Sequence, residues 1–514
     1  MYKKIVNTLN NKEFKFIAII TTIFMFAAHG FVYLNTIFTH DSMKIMYWGE
    51  YLSYDSIEIG RFIIPLLLII RGKYYPPFLI GMLSIILMVL LVYFLVKLFD
   101  LKNKKLIALL SGVLSSSCTI TLLNATYIEY SDMYILSFLL ATLSVYFLVK
   151  GKGLLRVILS IISFVIGMGI YQTTLPLFIT LVLIYTIFDI INSKKIKNVF
   201  KSFCVNMGTG AIASGVYFIA YKVVLKILNI VPSNKYNSMN NLAKFENIGD
   251  IFNIISKQYE ATINFITHPS TYYKFIVVLV NVTLIVLSIF SLIILSIKKR
   301  KSILQSLSLI VLVIGLSFSV NCTFFLSHGV LHHLMIFPMF MFYVFLVVLI
   351  EMLVKEINVF RPVYKFVLIS LALIVVSSII YSNQIYLKKQ MEFETTKLTM
   401  NRIIENIEEM DEYNVQTTPI VFVGYLKDGP IAYKKAELDY LSVGQDSPYG
   451  LTYYLTYKQF LNNYMGYPVN VLDKDTSLKF GAKKEVQKME VFPSKKAYKI
   501  VDGVLVIKMG PYSY

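Results

Sequence analysis

The chain has 514 residues, 56% of them hydrophobic and 15% charged, and its mean hydropathy is +0.65. That balance excludes an ordinary soluble globular protein. It also makes the net charge of +19 a topological signal rather than a nucleic-acid one, because the lysines cluster in short segments between apolar runs. The three cysteines, Cys118, Cys204 and Cys322, lie inside apolar runs and offer neither a disulfide framework nor metal-ligand spacing.

The first apolar run, about 14–35, is long enough to cross roughly 30 Å of hydrocarbon. The segment before it carries Lys3, Lys4, Lys12 and Lys15 but no small-residue cleavage site, so the run reads as an uncleaved anchor. A loop follows, Phe38-Thr39-His40-Asp41-Ser42, continuing through Asp55, Glu58 and Arg61. Phe62 to Ile70 is too short to cross and predicts an interfacial or partly re-entrant helix. Further spans are expected near 77–97, 106–124, 133–149, 155–171, 174–191, 204–226, 275–297, 303–325, 334–354 and 366–383, about eleven in all. A polar, partly helical segment covers about 228–273.

Basic clusters at Lys102 to Lys105, Lys150/Lys152/Arg156, Lys194 to Lys201, Lys298 to Lys301 and Lys355/Arg361/Lys365 fall on one side of this topology. Asp41, Glu50, Asp55, Glu58, Glu129 and Asp132 fall on the other. Basic loops stay cytoplasmic, which places the N-terminus inside and the acidic loops and the C-terminus outside.

After the last span the apolar runs shorten. Residues 386–412 predict a polar helix continuing outward, Pro419 to Gly424 a buried strand, and Ala497 to Met509 a hairpin turning on Asp502-Gly503. The fold expected is an all-α polytopic membrane protein with an outer interfacial helix, residues 1–385, and a small extracytoplasmic α/β domain, residues 386–514.

Candidate chemistry gathers at the outer mouths of the spans. Asp41 with Ser42 is either a reacting carboxylate or the cap of a short helix. Asp55, Glu58 and Arg61, spaced by three, form either an ion-pair ladder or a face that presents Arg61 to a phosphate, for which a planar guanidinium is suited. Glu129 and Asp132 share a helical face and form either a solvated loop or a pair able to hold a divalent cation. Tyr171 and Gln172, in a very short outer turn, offer an aromatic face and an amide to sugar hydroxyls, or serve as an interfacial belt. His328, His332 and His333 cluster before Pro338 with no third ligand placed, so a phosphate neighbour or a polar helix end describes them better than a metal site.

The outer loop with Asp41, the stretch Glu58-Ile59-Gly60-Arg61-Phe62-Ile63-Ile64-Pro65, the pair Arg71-Gly72 and the run Gly167-Met168-Gly169-Ile170-Tyr171-Gln172 together resemble the serotype-converting glucosyltransferases that decorate bacterial O-antigens. The resemblance covers about residues 15–385. It implies the GT-C class, with a hexose such as glucose taken from a polyprenyl-phosphate carrier on the outer face. It also implies an acidic catalytic residue in the first outer loop, carried here by Asp41. Where that family often has an arginine near the tenth span, this chain has His328, His332 and His333. Arg61, His332 and His333 are therefore expected at the carrier phosphate, and Glu58, Glu129, Asp132, Tyr171 and Gln172 around the substrates, with no metal assigned and a divalent cation left open. The implied partners are the lipid-linked sugar, membrane lipids and a surface polysaccharide or teichoic acid in a bacterial plasma membrane, with no nucleic acid. A flippase or exporter of lipid-linked saccharides is the alternative, and it would favour polar groups within the spans rather than at their mouths.

Overall fold

The computed structural model describes residues 11–39, 42–43, 54–72, 76–192, 195–232, 248–320, 322, 333–357, 361–426 and 457–510. Asp41, Glu50, His328 and His332 lie outside the described residues.

The chain forms an all-α bundle followed by a small sheet. In order come α1 (Lys12–Leu34), the single turn α2 (Tyr54–Glu58), α3 (Ile64–Arg71), α4 (Pro77–Phe99), α5 (Lys104–Ser115), α6 (Cys118–Thr126), α7 (Ser131–Lys150) and α8 (Gly153–Ile170). Then follow α9 (Thr174–Asn192), α10 (Ile196–Leu228), α11 (Ile248–Thr267), α12 (Lys274–Lys298), α13 (Ile303–Ser319), α14 (Met341–Glu356) and α15 (Arg361–Glu408). Among the described residues ten helical segments are long and apolar enough to cross a membrane; α5 with α6, α7 with the turn before it, and α14 with the turn before it, each count as one. The remaining expected span is present as α13, whose 17 residues extend about 26 Å at 1.5 Å per residue. The interfacial helix is α3, and the polar segment after α10 contains α11.

Position in the bundle follows from which faces are apolar. Helices α5, α6, α7, α9 and α14 are enclosed by their neighbours, whereas α10 and α12 turn Ile212, Ile219, Leu279 and Val286 outward, as a lipid-facing surface requires. Small hydroxyl residues join the inner helices. Thr21 meets Ser111 at 2.8 Å, Thr121 meets Ser382 at 2.7 Å, Ser144 meets Ser160 at 2.8 Å and Thr180 meets Ser319 at 3.0 Å. Short polar side chains of this kind allow close helix approach and hydrogen-bond where water is absent.

The charged helix ends collect at one end of the bundle. Lys97 pairs with Glu13, Lys150 with Asp100 and Lys299 with Glu356, while Glu351 accepts the backbone N–H groups of Lys102 and Asn103. The opposite end carries α2, α3, the turn between α6 and α7, and the turn between α8 and α9.

Helix α15 has 48 residues, about 72 Å, more than twice what a span needs. Its extension carries Phe393, which meets Phe38 from the first loop at 5.7 Å and Tyr464 from the C-terminal region at 5.2 Å between ring centroids. Beyond it lie β1 (Ile420–Val423), α16 (Lys474–Gly481), β2 (Tyr498–Val501) and β3 (Val504–Lys508), with β1 parallel and β2 antiparallel to the central β3. The β2–β3 hairpin turns on Asp502 and Gly503, both at positive φ, as a tight two-residue turn demands.

Candidate active site at the arginine end of the bundle

Two arginines, Arg71 buried and Arg61 half-buried, flank the segment 128–134. The first, Arg61, follows Gly60, whose φ of 90° makes the turn out of α2. Three contacts fix this turn. Tyr221 Oη donates to the Glu58 carbonyl at 2.7 Å, Tyr217 Oη donates to the Gly60 carbonyl at 2.9 Å, and Phe62 stacks on the rings of both tyrosines. The Ile63 N–H donates to the Gly169 carbonyl at 2.9 Å. A side chain at position 169 would place its Cβ 2.7 Å from Ile63 Cγ1, so any residue larger than glycine forces Ile63 to shift.

Arg61 points into an aromatic box. Tyr130, Tyr134 and Tyr171 stack nearly parallel, Tyr134 and Tyr171 with ring centroids 4.3 Å apart. The Arg61 guanidinium carbon lies 5.0 Å from the Tyr171 centroid and 5.6 Å from that of Tyr134. This is the geometry of a cation over π faces. Nη1 donates to Tyr134 Oη at 2.7 Å and Nε to Gln172 Oε1 at 3.4 Å. Gln172 donates its Nε2 to the Ile59 carbonyl at 2.7 Å, so both ends of its amide are engaged with protein and it positions Arg61. Among the described residues no carboxylate pairs with Arg61, so the ion-pair ladder with Asp55 and Glu58 does not form.

The second arginine is Arg71, the last residue of α3. Its Nη1 donates to Asp132 Oδ1 at 2.5 Å, with the two side chains only 3% and 8% exposed. Asp132 opens the first turn of α7, where a carboxylate is favoured by the helix dipole. Beside it Ser131 Oγ donates to Asn124 Oδ1 at 3.0 Å, and Ser84 Oγ donates to Ser131 Oγ at 3.4 Å. Glu129, in the 3-10 turn before α7, is fully buried. The pair Glu129 and Asp132 is therefore part of an enclosed polar cluster and not a solvated loop.

The first loop reaches this cluster. Thr39 Oγ1 donates to the Thr126 carbonyl at 2.8 Å, and Ser42 Oγ accepts from the Thr39 N–H at 2.6 Å. These residues, two before and one after Asp41, anchor the chain where α6 turns toward Glu129.

His333 stands elsewhere. Its carbonyl accepts from Thr119, its Nε2 meets Ser270 Oγ at 3.1 Å, and burial lowers its pKa below the ordinary histidine value. It lines a cavity of about 740 Å³ together with Lys257, Glu260, Asn264, His268 and Ser270. Among the described residues no group of three or more His, Cys, Asp or Glu side chains is placed to hold a metal ion.

Sequence reasoning assigned no role to Arg71, Asn124, Tyr130 or Tyr134. The signal for Arg71 was present, as a lone cation closing the apolar run Ile64 to Ile70. It also missed His29 inside the first span, whose Nδ1 meets Tyr386 Oη at 2.6 Å and whose Nε2 meets the Ser115 carbonyl at 2.8 Å. That carbonyl lies at the break between α5 and α6, where the regular helical ladder is interrupted.

A family model described as Glucosyl transferase GtrII matches residues 30–350, which takes in the Asp41 loop, both arginines and the helices from the C-terminal end of α1 through most of α14. No curated protein and no solved structure matches the chain.

Proposed function

We propose, because this chain belongs to the GtrII glucosyl transferase family, that it moves a hexose, glucose by family, from a polyprenyl-phosphate carrier to a cell-surface glycan. The end of the bundle that holds Arg61 and Arg71 faces outward from a bacterial plasma membrane, with the N-terminus inside and the C-terminus outside. Lysine-rich ends gathered opposite the two arginines support that orientation. The region beyond residue 386 is taken as the outer domain that shapes the acceptor cleft, and the ring contacts among Phe38, Phe393 and Tyr464 bring it against the first loop.

The single observation that carries this reading is the buried Arg71–Asp132 pair and buried Glu129, with the half-buried Arg61 beside them, at one end of the bundle inside the matched region. Buried charge of this kind is costly in a membrane protein and marks function. In the reaction the acceptor hydroxyl oxygen bonds to the anomeric carbon as the bond from that carbon to the carrier phosphate oxygen breaks. The electron pair leaves with the phosphate, and the acceptor proton passes to a carboxylate within hydrogen-bond reach. Asp41 is the proposed base, supported by the anchoring of Thr39 and Ser42 beside the Glu129 turn. The developing phosphate charge needs fixed cations in a site that excludes water. Arg61 in its aromatic box is proposed to line the path of the carrier phosphate, whereas His333, beside Ser270, is not placed with it. Surface polysaccharide or teichoic acid is the acceptor class.

The test is mass analysis of surface glycans from a strain lacking the gene. Loss of one hexose substituent per modified unit, restored by the wild-type gene, is the expected result. Unchanged glycans would overturn the reading. Loss of whole glycan chains together with retention of their lipid-linked precursors would favour the exporter instead.

A further inference from the structure

The Arg71 guanidinium is buried yet only partly used. Nη1 is taken by Asp132, whereas Nε and Nη2 have no hydrogen-bond partner among the described residues. These two donors are not interchangeable with Nη1. Their N–H bonds lie on one edge of the planar group and point the same way, so together they hold two oxygens of one anion side by side. A purely structural pair with Asp132 would gain most by using that edge. Here the carboxylate meets a single nitrogen, and among the described residues the two-donor edge has no partner in a place where unmade hydrogen bonds are costly.

The surroundings of Arg71 fit an amphiphile. Helix α3 turns Leu66, Ile69 and Ile70 outward, Ile70 with 73% of its surface exposed, while Arg71 next to it turns inward. At Gly72 the backbone takes a φ of 93°, and an added Cβ would meet nothing within 4 Å, so there is open space directly after the arginine. A single short helix at the membrane surface thus offers an exposed apolar strip beside a buried, half-satisfied cation.

We propose that the Nε–Nη2 edge of Arg71 is the anchor for the phosphate of a polyprenyl-phosphate lipid, whose tail lies along Leu66, Ile69 and Ile70. The inference rests on the transferase reading above and adds the carrier's seat to it. Asp132 then has a defined part. It fixes the guanidinium plane through Nη1 and leaves the two-donor edge for the phosphate. Leaving-group charge grows on the phosphate oxygens during transfer, and two parallel charge-assisted hydrogen bonds strengthen as it does.

The test is calorimetric binding of farnesyl phosphate to the purified full-length protein in detergent, with farnesol and inorganic phosphate as separate probes. Wild-type protein should bind farnesyl phosphate at least about tenfold more tightly than farnesol, and millimolar inorganic phosphate should not displace it. Arg71→Lys should lose most of that preference, because lysine keeps the charge but not the paired donors. Since a lone buried carboxylate can unsettle the fold, Arg71→Lys/Asp132→Asn is measured alongside. It should melt near the wild-type temperature and show the same loss. Retention of the wild-type preference for farnesyl phosphate over farnesol in either variant would overturn the assignment, as would displacement by inorganic phosphate at equal affinity. A protein that binds farnesyl phosphate through Arg71 but transfers no sugar would contradict the transferase reading while leaving the phosphate site in place.

Discussion

The two ends of the helix bundle handle charge in opposite ways. At the lysine-rich end, cations and carboxylates pair at the surface, with Lys97 and Glu13 26% and 27% exposed and Asp100 opposite Lys150 70% exposed. At the other end Arg71 and Asp132 are buried, and Arg61 is enclosed by tyrosine rings. An exposed pair contributes at most about 1 kcal/mol and follows membrane topology. A buried pair costs several kcal/mol of lost hydration per ion, so it persists only where selection for something other than stability maintains it. On the function proposed above, the difference separates charges that orient the protein from charges that act.

The largest effect that sharpens this contrast is expected from Asp41→Asn. An amide keeps the size and capping capacity of aspartate but cannot take the acceptor proton, so hexose transfer should vanish at normal expression. Near-normal glycosylation by that variant would leave Asp41 as a helix cap. Arg71→Lys should lower the initial transfer rate about a hundredfold, equivalent to roughly 2.7 kcal/mol of transition-state stabilisation. A change of only a few-fold would place Arg71 with the structural charges. Arg61→Lys should cost less, about tenfold, because a lysine retains attraction to the tyrosine faces while losing the bonds to Tyr134 and Gln172. Gly169→Ala should act through stability, lowering the melting temperature by the equivalent of about 1–3 kcal/mol as Ile63 and Phe62 are pushed away. At the other end of the bundle, Lys97→Ala should leave both rate and melting temperature nearly unchanged, a shift of less than about 1 kcal/mol. A large loss from that substitution would erase the distinction between the ends.

Much of the fold was legible in the residues because each element announces itself locally. Long apolar runs locate the spans, the short run before Arg71 marks α3, and Asp502-Gly503 marks the hairpin. The break between α5 and α6 was not legible, because no proline or glycine marks it and the freed Ser115 carbonyl is taken by His29, 86 residues away. The strand order was equally hidden, since the parallel pairing of β1 with β3 joins segments far apart in the chain. At the site, Arg61, Glu129, Asp132, Tyr171 and Gln172 were readable as polar groups at span mouths, but their partners were not. Arg71 meets Asp132 across 61 residues, and Gln172 meets Ile59 across 113. Proximity of that kind follows from helix packing, which composition and spacing do not encode. Asp41 and His332 were singled out by sequence alone and lie outside the described residues.

The central claim is that the end of the bundle carrying Arg61 and Arg71 transfers a hexose from a polyprenyl-phosphate donor. The most direct measurement reconstitutes the purified protein in vesicles and supplies radiolabelled glucose on a short-chain polyprenyl phosphate, with an extracted surface glycan as acceptor. The account predicts label in the glycan, release of one polyprenyl phosphate per glucose transferred, and no label from a nucleotide-linked glucose. Label that crosses the bilayer still attached to its lipid, with none reaching the glycan, would contradict it.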